Sequence, residues 1–130
     1  MLVTRETDYA IRTVLFLARE RHSIVSATQI SRAVNIPRSF LAKILQRLVR
    51  SGILISLRGV NGGFQIARNP SKISLLAIME AVQGMASISA CAIDSKICKL
   101  NRSCTVHPVW VKMRAEIENR LRKETIQRLM

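Results

Sequence analysis

After Gly52 the spacing of apolar residues changes from a helical repeat to a strict alternation. A chain that makes this switch behind a run of short helices has few folds open to it. Ahead of the switch, Leu41, Ile44, Leu45 and Leu48 recur at three- and four-residue intervals. Behind it, Ile53, Ile55 and Leu57 alternate with Leu54 and Ser56, Gly59-Val60-Asn61-Gly62-Gly63 turns the chain, and Phe64 and Ile66 resume the pattern. This predicts a β-hairpin, whose clustered glycines imply either positive-φ geometry or close approach of another backbone.

The helices around this hairpin are marked by their caps. Thr4 is placed to cap a first helix, with Glu6 and Asp8 in the first turn, where negative charge complements the helix dipole, and with Ala10, Val14, Leu17 and Ala18 as its inner stripe. Ser26 and Gln29 stand at capping-box spacing ahead of Ile30, Ala33 and Val34, a second helix expected to end near Asn35. Ile36-Pro37 opens a third helix and Gly52 stops it. Ser74 caps a fourth through Val82, with Leu75, Ile78, Met79 and Val82 apolar and Gly84 at its end.

A polar loop over residues 85–103 follows, then a helix over 105–129 with Val106, Trp110, Met113, Ile117 and Leu121 near the 3.5 to 3.6 residue period. A terminal helix this long with a narrow apolar stripe is expected to pack across a dimer. The element order is that of a winged helix-turn-helix. The expected fold is therefore mainly α with a small β-hairpin wing and a long C-terminal dimerisation helix. Its expected parts are a DNA-binding domain over 1–84, a cysteine-bearing loop over 85–104 and the dimerisation helix over 105–130.

Charge points to the partner. Residues 21–79 hold nine Lys or Arg and no Asp or Glu, within a chain of net charge +13. Acidic groups facing a phosphate track would repel it, whereas each cation displaces a condensed counterion, so this window suits double-stranded DNA. With Leu41, Ile44, Leu45 and Leu48 inward, the third helix presents Arg38, Ser39, Lys43, Gln46 and Arg47 outward, with Phe40 at the boundary. Arg, Lys and Gln address base edges, and Ser positions the duplex backbone. In the hairpin, Arg58, Asn61 and Gly62 bring a cation and bare backbone N–H groups toward phosphates or the minor groove. Arg50 and Arg68 are simple phosphate contacts or unused.

Cys91, Cys98, Cys104 and His107 place three thiols and an imidazole on one short segment, enough for a four-coordinate site, with Asp94, Lys96, Lys99, Asn101 and Arg102 around them. An iron–sulfur cluster, a structural zinc and free redox-active thiols all remain open. The absence of a C-x2-C pair favours the cluster over zinc. No nucleophile turn, orienting acid or substrate pocket can be read, so the chain is expected to be no enzyme and to take no small-molecule substrate. No apolar run of about 18 residues occurs. Glu6 and Asp8 precede the first apolar stretch, and no small-residue cleavage site follows it. The expected location is the cytoplasm, away from membranes.

The segments Phe40-Leu41-Ala42-Lys43-Ile44-Leu45-Gln46-Arg47-Leu48, Gly52-Ile53 and Leu57-Arg58-Gly59-Val60-Asn61-Gly62-Gly63-Phe64, with Leu2-Val3-Thr4 and Thr7-Asp8-Tyr9-Ala10 at the start, resemble the IscR, NsrR and RirA type of winged-helix regulators, the Rrf-two family. The resemblance implies a homodimeric, operator-binding transcriptional regulator, usually a repressor and redox or metal sensor, with the C-terminal helix as its dimer element. It also implies that Cys91, Cys98 and Cys104 are ligands of an iron–sulfur cluster. The stretch from Cys104 to Trp110 resembles the IscR type, in which His107 would complete a two-iron cluster. Asp8 matches the position from which the NsrR type supplies a carboxylate to a four-iron cluster. Of the two, His107 and the two-iron form are the expectation.

Overall fold

The structure is a computed structural model and describes residues 2–84, 89–100 and 102–130. Met85, at the expected start of the cysteine-bearing loop, and Asn101 within it lie outside the described residues. The chain forms α1 (Arg5–Arg19), α2 (Ala27–Val34), α3 (Arg38–Arg50), β1 (Leu54–Leu57) and β2 (Gly63–Ile66), then a 3-10 turn over Pro70–Lys72. It continues through α4 (Leu75–Gln83), α5 (Ala90–Ile93), α6 (His107–Lys123) and α7 (Ile126–Leu129).

The caps account for the boundaries. Thr4 Oγ1 accepts from the Thr7 amide at 3.2 Å, and Ser26 and Gln29 exchange both bonds of a capping box at 3.2 and 2.9 Å. Asn35 ends α2 in the left-handed region at φ 54°, which an asparagine tolerates better than most residues. The inner faces of α1 to α4 meet in one aliphatic core that includes Val14, Leu17, Ile30, Leu41, Ile44, Leu45, Leu48 and Ile78. On α4 the buried residues are Leu76, Ile78, Met79 and Val82, so Leu76 rather than Leu75 joins the inner face.

The hairpin forms as predicted. Strands β1 and β2 pair antiparallel, with Leu54 opposite Ile66 and Ser56 opposite Phe64. Opposed residues share a face, so Leu54, Phe64 and Ile66 turn to the core while Ile55 and Leu57 are 43% and 39% exposed. Ile53 is buried for a separate reason. It precedes the strand, its amide bonds to the Leu48 carbonyl at 3.0 Å, and it follows the end of α3 rather than the pleat.

Val25 pairs with Phe64 through two backbone bonds of 3.0 and 2.8 Å, which fastens the wing to the α1–α2 connection. Gly63 makes this possible, because a Cβ there would overlap the Val25 carbonyl, and one at Gly62 would overlap the Leu57 carbonyl oxygen. Gly63→Ala is expected to open the Val25 bridge and lower stability by about 1–3 kcal/mol. Urea unfolding measures this, and an unchanged midpoint would show that the wing can move aside at no cost.

The C-terminal helix departs from the sequence expectation. In place of one helix over 105–129, α6 stops at Lys123 and the chain returns to the body. The Leu75 amide bonds to the Glu124 carbonyl at 2.8 Å and the Ile126 amide to the Ile73 carbonyl at 2.9 Å, with Thr125 bridged to Ser74. Ile126 is fully buried in the main core, and Thr125 caps α7. The physical reason is burial: continued as helix, Ile126 would leave the core empty at this point. Helix α6 itself buries none of its residues, and Val106 at its cap with Val109, Val111 and Met113 stays 39–48% exposed.

Candidate nucleic-acid interface and cysteine segment

Helix α3 lies on the core through Leu41, Ile44, Leu45 and Leu48, which leaves Arg38, Ser39, Lys43 and Gln46 exposed and Phe40 55% exposed. Ser39, Lys43, Gln46 and Arg50 follow one another at four- and three-residue steps and so share a stripe. A groove between helix and wing is lined by Gln46, Val49, Arg50, Ser56, Arg58 and Phe64, which sets Arg50 and Arg58 on the two sides of one depression. A second groove joins Ser26, Thr28 and Gln29 at the start of α2 to Val60, Asn61 and Gly62 at the wing tip. Among the described residues no carboxylate pairs with Arg38, Lys43, Arg50 or Arg58, so this face keeps its positive charge.

Two arginines behave otherwise. Arg47, expected among the DNA-facing set, donates from Nη1 to Glu6 Oε2 at 2.6 Å and to the Val82 carbonyl at 2.7 Å, toward α1 and α4. Arg68 donates to the Ser51 and Gly52 carbonyls at 2.8 and 3.1 Å and so closes the C-terminal end of α3. Sequence reasoning missed the exposed Val60 at the wing tip, and it left Arg50, which lines the groove, as a phosphate contact or unused. The position of Val60 inside the glycine turn was the available signal for the first.

An exposed cationic stripe on the third helix of a helical body, flanked by a β-hairpin, defines a winged-helix DNA-binding protein. The chain belongs to the Rrf2 family, described as iron-dependent transcriptional regulators, whose sequence profile matches residues 3–130. It is thus a DNA-binding transcriptional regulator. It is 26% identical to the HTH-type transcriptional regulator NsrR of Shouchella clausii, over 100% of this chain and 89% of that protein. Among solved structures, CymR, the global cysteine regulator of B. subtilis, aligns with TM-score 0.79 at 19% identity, covering 99% of this chain and 95% of that one. IscR of T. potens aligns with TM-score 0.73 at 23% identity, covering 98% and 84%. At these identities the structural likeness speaks for the fold. Among the described residues no helix is long and apolar enough to cross a membrane.

The cysteines sit on successive local structures. Cys91 is on α5, its Sγ 3.1 Å from Ser89 Oγ; Cys98 follows the Asp94 turn; the Cys104 amide bonds to the Leu100 carbonyl at 2.8 Å just ahead of α6. All three thiols are free and half-buried. Arg114 of α6 holds α5 in place, donating from Nη1 to the Ala92 carbonyl at 2.6 Å. His107 opens α6, and its buried Nδ1 has no hydrogen-bond partner among the described residues. A buried polar atom left so costs about 1–3 kcal/mol, which a ligand would relieve.

The donor set, three thiols and an imidazole nitrogen awaiting a partner, fits an iron–sulfur cluster in its chemistry. The side chains are not gathered: among the described residues no three His, Cys, Asp or Glu groups are arranged to hold a metal ion. Asp8, the alternative fourth ligand, is paired with Arg12 at 2.7 Å on the half-exposed face of α1.

Proposed function

We propose that this protein is a homodimeric, cytoplasmic transcriptional repressor whose affinity for its operator is set by an iron–sulfur cluster on Cys91, Cys98, Cys104 and His107. The observation that carries this reading is the unpartnered, buried Nδ1 of His107, on the same segment as three free thiols. Bound there, the cluster would supply sensitivity to redox state and iron supply. Arg38, Ser39, Phe40, Lys43 and Gln46 of α3 would enter the major groove, while Arg58, Asn61 and Gly62 would meet the backbone or minor groove. The exposed apolar residues of α6 support pairing with a second copy, since Val109 and Met113 stand one turn apart on a helix that buries none of its own residues.

A second reading keeps the DNA site and replaces the cluster by thiol oxidation or structural zinc. Its thiol form is favoured by the lack, among the described residues, of a gathered metal-ion donor group and by the fold shared with a protein described as a global cysteine regulator.

Purification without oxygen, followed by a visible spectrum and assay of iron, sulfide and zinc, separates the readings. Brown protein with two irons and two sulfides per chain is expected, with the colour lost in Cys98→Ala and Cys104→Ala. Four irons per chain would instead direct attention to Asp8. Colourless protein with stoichiometric zinc would establish the structural metal. Colourless protein with no metal after reconstitution would leave thiol control.

A further inference from the structure

Arg47 leaves the recognition helix one turn after Lys43 yet reaches across the domain. Three elements meet on its Nη1: α3 itself, the first turn of α1 through Glu6 Oε2 at 2.6 Å, and the last turn of α4 through the Val82 carbonyl at 2.7 Å. That carbonyl is among those at the end of α4 with no partner inside the helix, where a cation also complements the dipole.

The next residue, Gln83, ties the same point to the start of the chain. Its Oε1 accepts from the Thr4 amide and Thr4 Oγ1, each at 3.1 Å, and from Thr7 Oγ1, while its Nε2 donates to the Leu2 carbonyl at 2.9 Å. Past Gly84 the chain enters the segment that carries the cysteines. The approach to that segment is thus held from both sides, by residues 2–7 through Gln83 and by the recognition helix through Arg47. Arg47 and Glu6 are 40% and 41% exposed, a setting in which an ion pair adds little to stability. What the bonds supply is a fixed angle between α3 and the end of α4.

We propose that Arg47 is a positioning residue that transmits the state of the cysteine segment to the recognition helix, with Glu6 as its brace. The proposal rests on the reading of that segment as the sensor. A shift of the last turn of α4 breaks or remakes the charge-assisted bond from Arg47 to the Val82 carbonyl, while Glu6 of α1 holds the same Nη1, and among the described residues no other side-chain hydrogen bond joins α3 to α4. Such a link couples two sites only if the states of one favour different arrangements of the other. The same side chain, if free, would simply touch a phosphate, and the two roles differ in salt dependence.

The test uses the full chain and a duplex selected by the wild-type protein from a random-sequence library. Dissociation constants are measured at several salt concentrations for protein reconstituted with iron and sulfide and for metal-free reduced protein, in wild type, Glu6→Gln and Arg47→Gln. Wild type is expected to differ about tenfold or more between the two forms. Both variants are expected to bring that ratio to within about twofold, with iron content, unfolding midpoint and salt slope unchanged. Variants that keep the wild-type ratio overturn the coupling alone. A salt slope reduced by about one in Arg47→Gln, with Glu6→Gln unaffected, makes Arg47 a phosphate contact and also overturns it. A wild-type protein with no difference between its forms overturns the sensor reading together with the coupling. Should Arg47→Gln fail to fold, Glu6→Gln carries the test, because it leaves α3 and its DNA-facing side chains untouched.

Discussion

Ile126→Ala is expected to lower the stability of the protein by about 2–5 kcal/mol, the usual cost of truncating a fully buried isoleucine to alanine. Ile126 has no exposed surface and belongs to the same core as Leu17, Leu45 and Ile73. Its loss removes the apolar anchor of a short tail that is otherwise held by the backbone bonds of Glu124 and Ile126 to Leu75 and Ile73. Since a domain of this kind has about 5–15 kcal/mol in total, the change takes a large share of it. Thermal unfolding measures the loss, and limited proteolysis should cut the variant after Lys123 well before wild type. A loss below about 1 kcal/mol would mean that the tail can leave without disturbing the core. Leu129→Ala, at a residue 41% exposed, serves as the control and should change little.

Lys43→Ala and Gln46→Ala are each expected to weaken operator binding by about 1–3 kcal/mol and to relax the preference at one base position, on the proposed docking of α3 in the major groove. Both side chains are exposed on the stripe opposite Leu41, Ile44, Leu45 and Leu48, so neither change should alter stability much. Arg58→Ala should behave differently, weakening all sequences alike and reducing the salt slope by about one. Anisotropy titrations against a set of single-base variants of the operator read all three. If Lys43→Ala lowered specific and non-specific affinity by the same factor, it would be a backbone contact and the base reading would rest on Gln46 and Arg38.

The boundaries of α1, α2 and α4 were legible because their causes are local. Thr4, Ser26 with Gln29, and Ser74 each satisfy an amide a few residues away, which spacing alone reveals. The inward set of α3 was legible for the same kind of reason, since four leucines and isoleucines at helical spacing leave one way to lie on a core. The break between α6 and α7 had a local trace, because Leu121 and Ile126 are five apart and interrupt the helical repeat. That trace gains meaning only when the Leu75 amide and the Ile73 carbonyl are seen to pair with Glu124 and Ile126. The inner face of the hairpin was likewise hidden, because Ile53 answers to α3 while Leu54 answers to β2.

The residues expected to face DNA divide along the same line. Arg38, Ser39, Lys43 and Gln46 are exposed where periodicity put them. Arg47 has the same residue type and nearly the same helical phase, yet Glu6, 41 positions away along the chain, draws it to the other side. For the cysteine segment, the candidate donors can be named from their order in the chain, while the burial of His107 Nδ1 and the bond from Arg114 of α6 to the Ala92 carbonyl of α5 are visible only in the tertiary structure.

By itself the sequence determined the helical caps, the hairpin turn, the acid-free window and the candidate donor groups of the cysteine segment, since these depend on neighbours within a turn or on residue type and charge alone. The tertiary structure decided where Arg47 points, which face of the wing is covered, and where the last helix stops. Each of these depends on a partner tens of residues away, whose attraction competes with local preference and wins by burying an apolar side chain or satisfying a charge.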